Sequence, residues 1–403
     1  LAKEGDLMNI AMMVRGYLKV PRPKDMIYAP IDLAMAICEG LTKRGHNTTL
    51  YAPLGSRLKH GTIETLNLRA LVNDKNQFVD LLSNAEKVNH YQPQLWENYM
   101  VNDMFSRAAA GEFDLLHFHH PEVALPSAVG TKPPVVYTLH DPIYDWYKEL
   151  FELYSSPNQH FISISNNQRR DAPDLPYVAT VYNGVDVKDY PFSDKPEDYL
   201  LYTGRIVPEK GVKEAIEIAR KSHHRLLIIG PVYADSQGYY DQYIKPNLDD
   251  QILYLGFVER EALSKYYQKA RAVLTPVQWE EPFGLTTIES MASGTPVISL
   301  RRGAAPEIIK DGKTGFVVDS IAEMIEAVHK IDEIDRRTCR EHVKKHFSLS
   351  KMVDGYERAY EDVLRASRPV GRFSLSSQLN KMPMRLRESS RKRRLRKILK
   401  SSK

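Results

Sequence analysis

Three features of this 403-residue chain predict an α/β fold of two doubly wound, Rossmann-like halves facing a cleft. Short apolar runs alternate with amphipathic stretches, this series occurs twice, and a polar, proline-bearing stretch separates the two occurrences. Continuous rather than alternating apolar runs suit strands of a parallel sheet, which are covered on both faces. The amphipathic stretches between them supply the crossover helices that parallel strands need. At this length, with 42% hydrophobic and 27% charged residues, two full cores are expected rather than one.

Along the chain, residues 9–14 read as the first strand, 31–44 as a helix closed by Gly45, and 47–51 as the second strand. After a less regular stretch, 92–110 read as a helix and 114–119, 135–139 and 161–165 as further strands. The run 178–182 ends at Asn183-Gly184, a turn word. Residues 191–198 have linker composition. The second series reads as strand 199–203, helix 212–221, strands 225–229 and 251–254, helix 260–270 and strand 272–275. A turn and helix ending at Gly294-Thr295-Pro296 then lead to strand 297–300. Phe347-Ser348-Leu349-Ser350 caps a last helix over 351–364. The expected organisation is an acceptor-side domain at 8–190, a donor domain at 191–346, a crossover helix at 347–367 and a basic tail at 368–403, with Leu1–Leu7 set aside.

Charge is uneven. From Lys381 onward there are eleven Lys or Arg and one acid, a net +10, which leaves −5 for the rest of a +5 chain. Met382, Met384, Leu386, Leu395, Ile398 and Leu399 are interleaved with those cations, so a tail lying on an anionic membrane is expected. A disordered end or a nucleic-acid arm are the other readings, and nucleic acid is not favoured because the body is acidic. No run of eighteen apolar residues and no secretory pattern occur, so a cytoplasmic protein, peripheral on the inner face of the plasma membrane, is expected. Cys38 and Cys339 lie in no metal or redox spacing and are expected to be buried.

Trp279-Glu280-Glu281-Pro282-Phe283-Gly284-Leu285-Thr286-Thr287-Ile288-Glu289 puts two carboxylates either side of a turn that opens a helix. Thr286 or Thr287 is the expected cap. Free N–H groups at a helix start attract phosphate. Glu281 in the loop can then accept from sugar hydroxyls, and Glu289 within the helix can grip both ribose hydroxyls. After the first strand of the second series, Gly204-Arg205 and Glu209-Lys210-Gly211 supply two cations where a leaving diphosphate would develop charge. His140 stands at the end of strand 135–139. Alternation puts His117 and His119 of His117-Phe118-His119-His120 on one face of a strand, and the expectation is two histidines lining the cleft rather than metal ligands.

The signature segment resembles the donor motif of glycosyltransferase family 4, retaining enzymes of the two-domain GT-B architecture, in which two Glu are separated by seven residues, as Glu281 and Glu289 are. The resemblance covers roughly Met8 to Leu364. It implies that Gly204, Arg205 and Lys210 meet the donor diphosphate, that Gly256-Phe257-Val258 contacts the base by its backbone, with Val258 at the donor, and that Phe283, Gly284, Leu285, Thr286 and Glu289 complete the donor site. His140 resembles the family histidine beside the reacting carbon. The resemblance also implies a final helix that returns to the first domain, and front-face chemistry in which the donor phosphate takes the acceptor proton. One departure stands out. The family commonly has Gly-Gly in the loop after the first strand, whereas residues 20–30 here carry three prolines with Arg22 and Lys24, which leaves the acceptor unspecified as a glycan, a lipid or a small metabolite.

The resulting expectation is a retaining hexosyltransferase that needs no metal or cofactor. Its catalytic residues would be His140, Arg205, Lys210 and Glu281, its donor a UDP- or GDP-linked sugar with UDP-hexose favoured, and its setting cell-surface glycan or glycolipid synthesis. The alternatives are a nucleotide-sugar epimerase of the same fold and an inactive donor-binding partner subunit.

Overall fold

The computed structural model describes residues 7–24, 26–74, 77–78, 81 and 91–367. The first sheet contains β1 (Asn9–Met13), β2 (Asn47–Tyr51), β3 (Thr62–Glu64), β4 (Leu115–Phe118), β5 (Val135–Thr138), β6 (Gln159–Ser163) and β7 (Tyr177–Thr180) in the order β3-β2-β1-β4-β5-β6-β7. The second contains β8 (Leu200–Thr203), β9 (Leu226–Ile229), β10 (Ile252–Tyr254), β11 (Ala272–Thr275), β12 (Val297–Leu300) and β13 (Gly315–Val318) in the order β10-β9-β8-β11-β12-β13. Every neighbouring pair is parallel. The central strands are buried on both faces along their length, as their uninterrupted apolar runs require.

Chain order reverses beside β1 in the first sheet, where β2 and β4 flank it, and beside β8 in the second, where β9 and β11 do. Loops leaving such switch points diverge and open a crevice at the carboxyl ends of the strands. The loops after β1 and β4 and those after β8 and β11 carry most of the side chains considered below. Each sheet has its own apolar core. One gathers Phe118, Tyr137 and Phe161 with the helix Tyr91–Ala109, and the other gathers Leu201, Ile228 and Leu274 with the helices Val212–Lys221 and Leu285–Ala292.

The chain crosses between the halves twice, and the crossings run side by side. Val185 N–H donates to Phe347 carbonyl at 2.9 Å and Leu349 N–H to Val185 carbonyl at 3.1 Å. The helix Leu349–Ser367 then lies on the first half: Tyr356 hydroxyl meets Thr138 at 3.1 Å, Tyr360 hydroxyl meets His117 Nδ1 at 2.7 Å, and Arg44 pairs with Asp354 at 2.6 Å. The compact unit formed in this way ends at Val363, and a second begins at Leu364. The basic segment 381–403 lies outside the described residues.

Several local expectations are corrected. The helix after the first loop begins at Ala29 rather than Ile31, because Pro30 fits a first helical turn. The signature helix starts at Leu285 behind Gly284, which takes φ +86° and leaves no threonine as cap. Strands β3 and β13 have no counterpart in the sequence reading: one is three residues at a sheet edge and the other starts on a glycine. Cys38 and Cys339 are buried free thiols. Among the described residues no helix is long and apolar enough to cross a membrane.

Candidate active site

A cleft of about 1570 Å³ separates the two halves. Its second-half wall begins after β8, where Arg205 stands 42% exposed and 3.7 Å from Glu209. Lys210 reaches across to the Glu281 carboxylate, and its ammonium lies 4.8 Å from the Trp279 ring centre. Trp279 Nε1 donates to the same Glu281 carboxylate at 2.9 Å. Backbone contacts join the two loops that carry these groups, Gln278 N–H donating to Glu209 carbonyl at 2.8 Å. Glu281 is held from behind as well: its carbonyl accepts from Ala304 N–H at 3.0 Å, and a Cβ on Gly303, at φ +55°, would strike its backbone. The Glu281 head group is therefore fixed between a cation and an indole N–H.

Beyond Gly284, Thr287 N–H donates to the Gly284 carbonyl at 3.0 Å, whereas the N–H groups of Leu285 and Thr286 have no intrahelical acceptor, and Gly284, Leu285 and Thr286 line the cleft. One turn further in, Glu289 accepts from Tyr190 hydroxyl at 3.0 Å and Tyr267 hydroxyl at 3.2 Å. Arg260 in turn donates to Tyr190 at 3.0 Å. This wall presents, in order, a cation pair, open N–H groups and a carboxylate held by two phenols. Such an order suits a phosphorylated ligand with hydroxyls at both ends.

The first-half wall is built on imidazoles. His119 Nδ1 and His140 Nε2 are 2.8 Å apart, and the His117 and His119 ring centres lie 4.3 Å apart with the rings tilted by 41°. His117 is held by Thr138 at 2.8 Å and by Tyr360. The expectation that His117 and His119 line the cleft is corrected. Both are buried beneath its floor, and the histidines on its surface are His120 and His140. Burial, with His120 and His117 adding to it, lowers His140 to about 3, so its ring is neutral near pH 7 and acts as a dipole, not as an imidazolium. Among the described residues no group of three or more His, Cys, Asp or Glu gathers as metal ligands.

His140, Gly204, Arg205, Lys210, Val258, Glu281, Phe283, Gly284, Leu285, Thr286 and Glu289 all lie along this cleft, as do Arg22 and Lys24 from the proline-bearing loop. Arg22 is neutralised by Asp32 at 3.0 Å. Sequence reasoning missed Tyr28, His120, Tyr190, Arg260 and Trp279. Trp279 adjoins the signature and was open to notice, whereas Tyr190 meets Glu289 across 99 residues and carried no local mark.

Two family descriptions match consecutive parts of the chain: Glycosyltransferase Family 4 at residues 33–189 and Glycosyl transferases group 1 at residues 188–345. The N-acetyl-alpha-D-glucosaminyl L-malate synthase of Bacillus anthracis is 25% identical over 337 residues, covering 72% of this chain and 84% of that protein. The lipopolysaccharide 1,2-N-acetylglucosaminetransferase of Salmonella typhimurium is 30% identical over 148 residues, 34% of this chain and 38% of that one. Among solved structures, Anabaena Alr3699/HepE in complex with UDP-glucose superposes with a TM-score of 0.64 at 16% identity, covering 88% of this chain and all of the other.

Proposed function

Because this chain belongs to glycosyltransferase family 4 and is a hexosyltransferase of GT-B fold, we propose that it moves a hexose from a UDP-sugar to an acceptor hydroxyl with retention and without a metal. The observation that carries the reading is the cation pair Arg205 and Lys210 beside the open start of helix Leu285–Ala292, with Glu281 and Glu289 eight positions apart on either side. Two cations and a helix terminus at the diphosphate stabilise the charge that grows as the sugar leaves, which is the task a divalent ion performs elsewhere. Lys210 then exchanges part of its bond to Glu281 for the phosphate, and Glu281 is released toward the sugar. Glu289, braced by Tyr190 and Tyr267, is oriented for ribose. His140, neutral and bonded to His119, offers its dipole at the reacting carbon. UDP is preferred over GDP because a protein of the same fold was solved with UDP-glucose.

Cell-surface glycan or glycolipid synthesis and peripheral attachment through 381–403 complete the reading. The +10 charge of that segment supports attachment, tested by sedimentation with phosphatidylglycerol vesicles at low and high salt. The central experiment is a thermal-shift comparison of UDP, GDP and their hexoses in EDTA, followed by product analysis. A UDP-specific shift and a new glycoside in EDTA are expected. A changed sugar without acceptor would mean epimerase, binding without turnover a silent partner subunit, and magnesium-dependent turnover would end the metal-free reading.

A further inference from the structure

A second chain of polar groups reaches the cleft from the first half, and nothing in the donor reading uses it. Tyr28, at the start of the helix Ala29–Lys43, lines the cleft and hydrogen-bonds through its hydroxyl to His120 Nε2. His120 Nδ1 lies 3.4 Å from Glu122 Oε1. The Glu122 carboxylate is itself held by Arg15 at 3.0 Å and by Tyr147 hydroxyl at 3.1 Å. Arg15 is in turn braced by the buried Glu97 at 3.4 Å. A carboxylate can only accept, so His120 carries its proton on Nδ1 and Nε2 accepts from the phenol. Tyr28 therefore spends its own proton inward, and with Arg15 also directed at its oxygen one lone pair is left for a donor in the cleft. His120 is 6% exposed, and the Tyr28 ring is fixed edge-on against Phe78 at 6.0 Å. Tyr28 and His120 both line the cleft, and with both ring nitrogens of His120 engaged the phenolic oxygen is the atom of this carboxylate–imidazole–phenol chain left to bond a ligand.

We propose that Tyr28, backed by His120 and Glu122, binds the acceptor hydroxyl and takes its proton during transfer. This rests on the transferase reading of the cleft and assigns its acceptor half. The acceptor oxygen forms its bond to the anomeric carbon while the bond from that carbon to phosphate oxygen breaks, and the electron pair of the broken bond leaves on the nucleoside diphosphate. The acceptor proton moves to Tyr28 oxygen, rather than to the donor phosphate as the family resemblance implies, while the phenolic proton moves to His120 Nε2. The resulting imidazolium is held against the Glu122 carboxylate, and its proton returns through Tyr28 to water as the products leave. Charge balances without a free phenolate, in keeping with the burial that keeps the Tyr28 phenol protonated far above its ordinary range. The groups facing His120 are Glu122 on its own turn, Arg15 after β1, Asp141 after β5, and the neighbouring His119 and His140. Burial, with Arg15, lowers His120 despite Glu122, so it is neutral and ready to accept near pH 7. Burial would raise Glu122, but its hydrogen bond from His120 and the Arg15 charge hold it below its ordinary value, so the carboxylate stays ionised.

The test uses the full chain, UDP-glucose as donor and water as the acceptor hydroxyl, with UDP binding by calorimetry as the check on fold and donor site. Tyr28→Phe keeps the ring and removes the oxygen, and His120→Gln keeps a polar side chain and removes the proton carrier. Both are expected to release UDP at least about 30-fold more slowly than wild type while binding UDP within twofold. The wild-type rate should fall on acidification as His120 protonates, and this limb should vanish in Tyr28→Phe. Tyr28→Phe hydrolysing within twofold of wild type, or keeping the acid limb, would overturn the proposal, as would a wild type that binds UDP yet hydrolyses no UDP-glucose. A wild type that does not bind UDP would instead bring down the donor reading beneath it.

Discussion

Lys210 and Glu281 pair across the cleft wall, so a donor phosphate meets a lysine already aimed by a carboxylate and flanked by Trp279. Arg205, 42% exposed with a single partner at 3.7 Å, is free to swing onto the same phosphate. Arg205→Ala and Lys210→Ala should each cut turnover by about a hundredfold or more, since a lost donor to a developing anion costs ~3 kcal/mol. Urea midpoints should barely move for Arg205→Ala, and normal rates in both variants would remove the diphosphate assignment. The two carboxylates divide differently. Glu289→Ala should weaken UDP itself, whereas Glu281→Ala should leave UDP affinity nearly intact and lower kcat, and calorimetry with UDP showing equal losses would contradict the division. At this scale the sequence disclosed what is contiguous: Glu281, Gly284 and Glu289 share one turn and helix, and Arg205 and Lys210 share one loop. It hid what the fold assembles, because Tyr190, Arg260 and the Tyr28–His120 pair become neighbours only after the chain crosses between elements.

Among elements, the helix Leu349–Ser367 ties the end of the described chain to the first sheet, through Tyr360 with His117 of β4 and, beside them, Tyr356 with Thr138 of β5. The histidines gathered there titrate together with folding. Burial lowers His117 and His140 to about 3 and His119 well below its ordinary value, with neighbouring histidines adding to the last two. Between about 3 and 6.5 the unfolded chain therefore takes up protons that the folded one refuses, and stability falls as pH falls. Glu97 opposes this. Burial, countered by Arg15, raises it to about 7, so the folded state holds a proton there that the unfolded state has released. Burial and Arg15 lower His120 as well, so the histidines outweigh the one glutamate, unfolding near pH 5.5 takes up protons, and stability falls as pH falls. Urea midpoints should drop steeply from pH 6.5 to 5, and a flat profile would mean that these histidines are charged in the fold. Element by element, the central strands were legible because burial on both faces demands continuous apolar runs. The edge strand β3 was not, because three residues at a sheet margin need no such run, and the Gly284 cap was not, because a positive φ leaves no mark beyond a glycine.

For the molecule as a whole, the halves are joined by the paired crossings near Val185 and Ser348 and by two carboxylates of the second half, Glu307 and Glu280. Glu307, just beyond the loop that supports Glu281, accepts from Asn166 N–H at 2.8 Å, Asn167 N–H at 2.6 Å, Asn166 Nδ2 at 3.0 Å and Tyr182 hydroxyl at 2.8 Å. Glu280 adds a bond from Asn167 Nδ2 at 3.2 Å while accepting from Gly303 N–H at 2.7 Å. The crossings have the form of a hinge, two adjacent backbone strands, and Glu307 has the form of a clasp that holds the β6–β7 loop against the donor half. Because hydrogen bonds to a charged group are worth about 1.5–3 kcal/mol, losing the clasp should cost a tenfold or larger share of the closed arrangement. Glu307→Ala should therefore raise the KM for the sugar nucleotide about tenfold, with a radius of gyration in solution scattering that is larger than wild type without UDP and returns toward it when UDP is saturating. The urea midpoint should shift far less than the KM, because each half keeps its own core. A variant whose scattering and KM both match wild type would show that the crossings alone set the cleft, and one that unfolds early would place Glu307 in the stability of the second half instead.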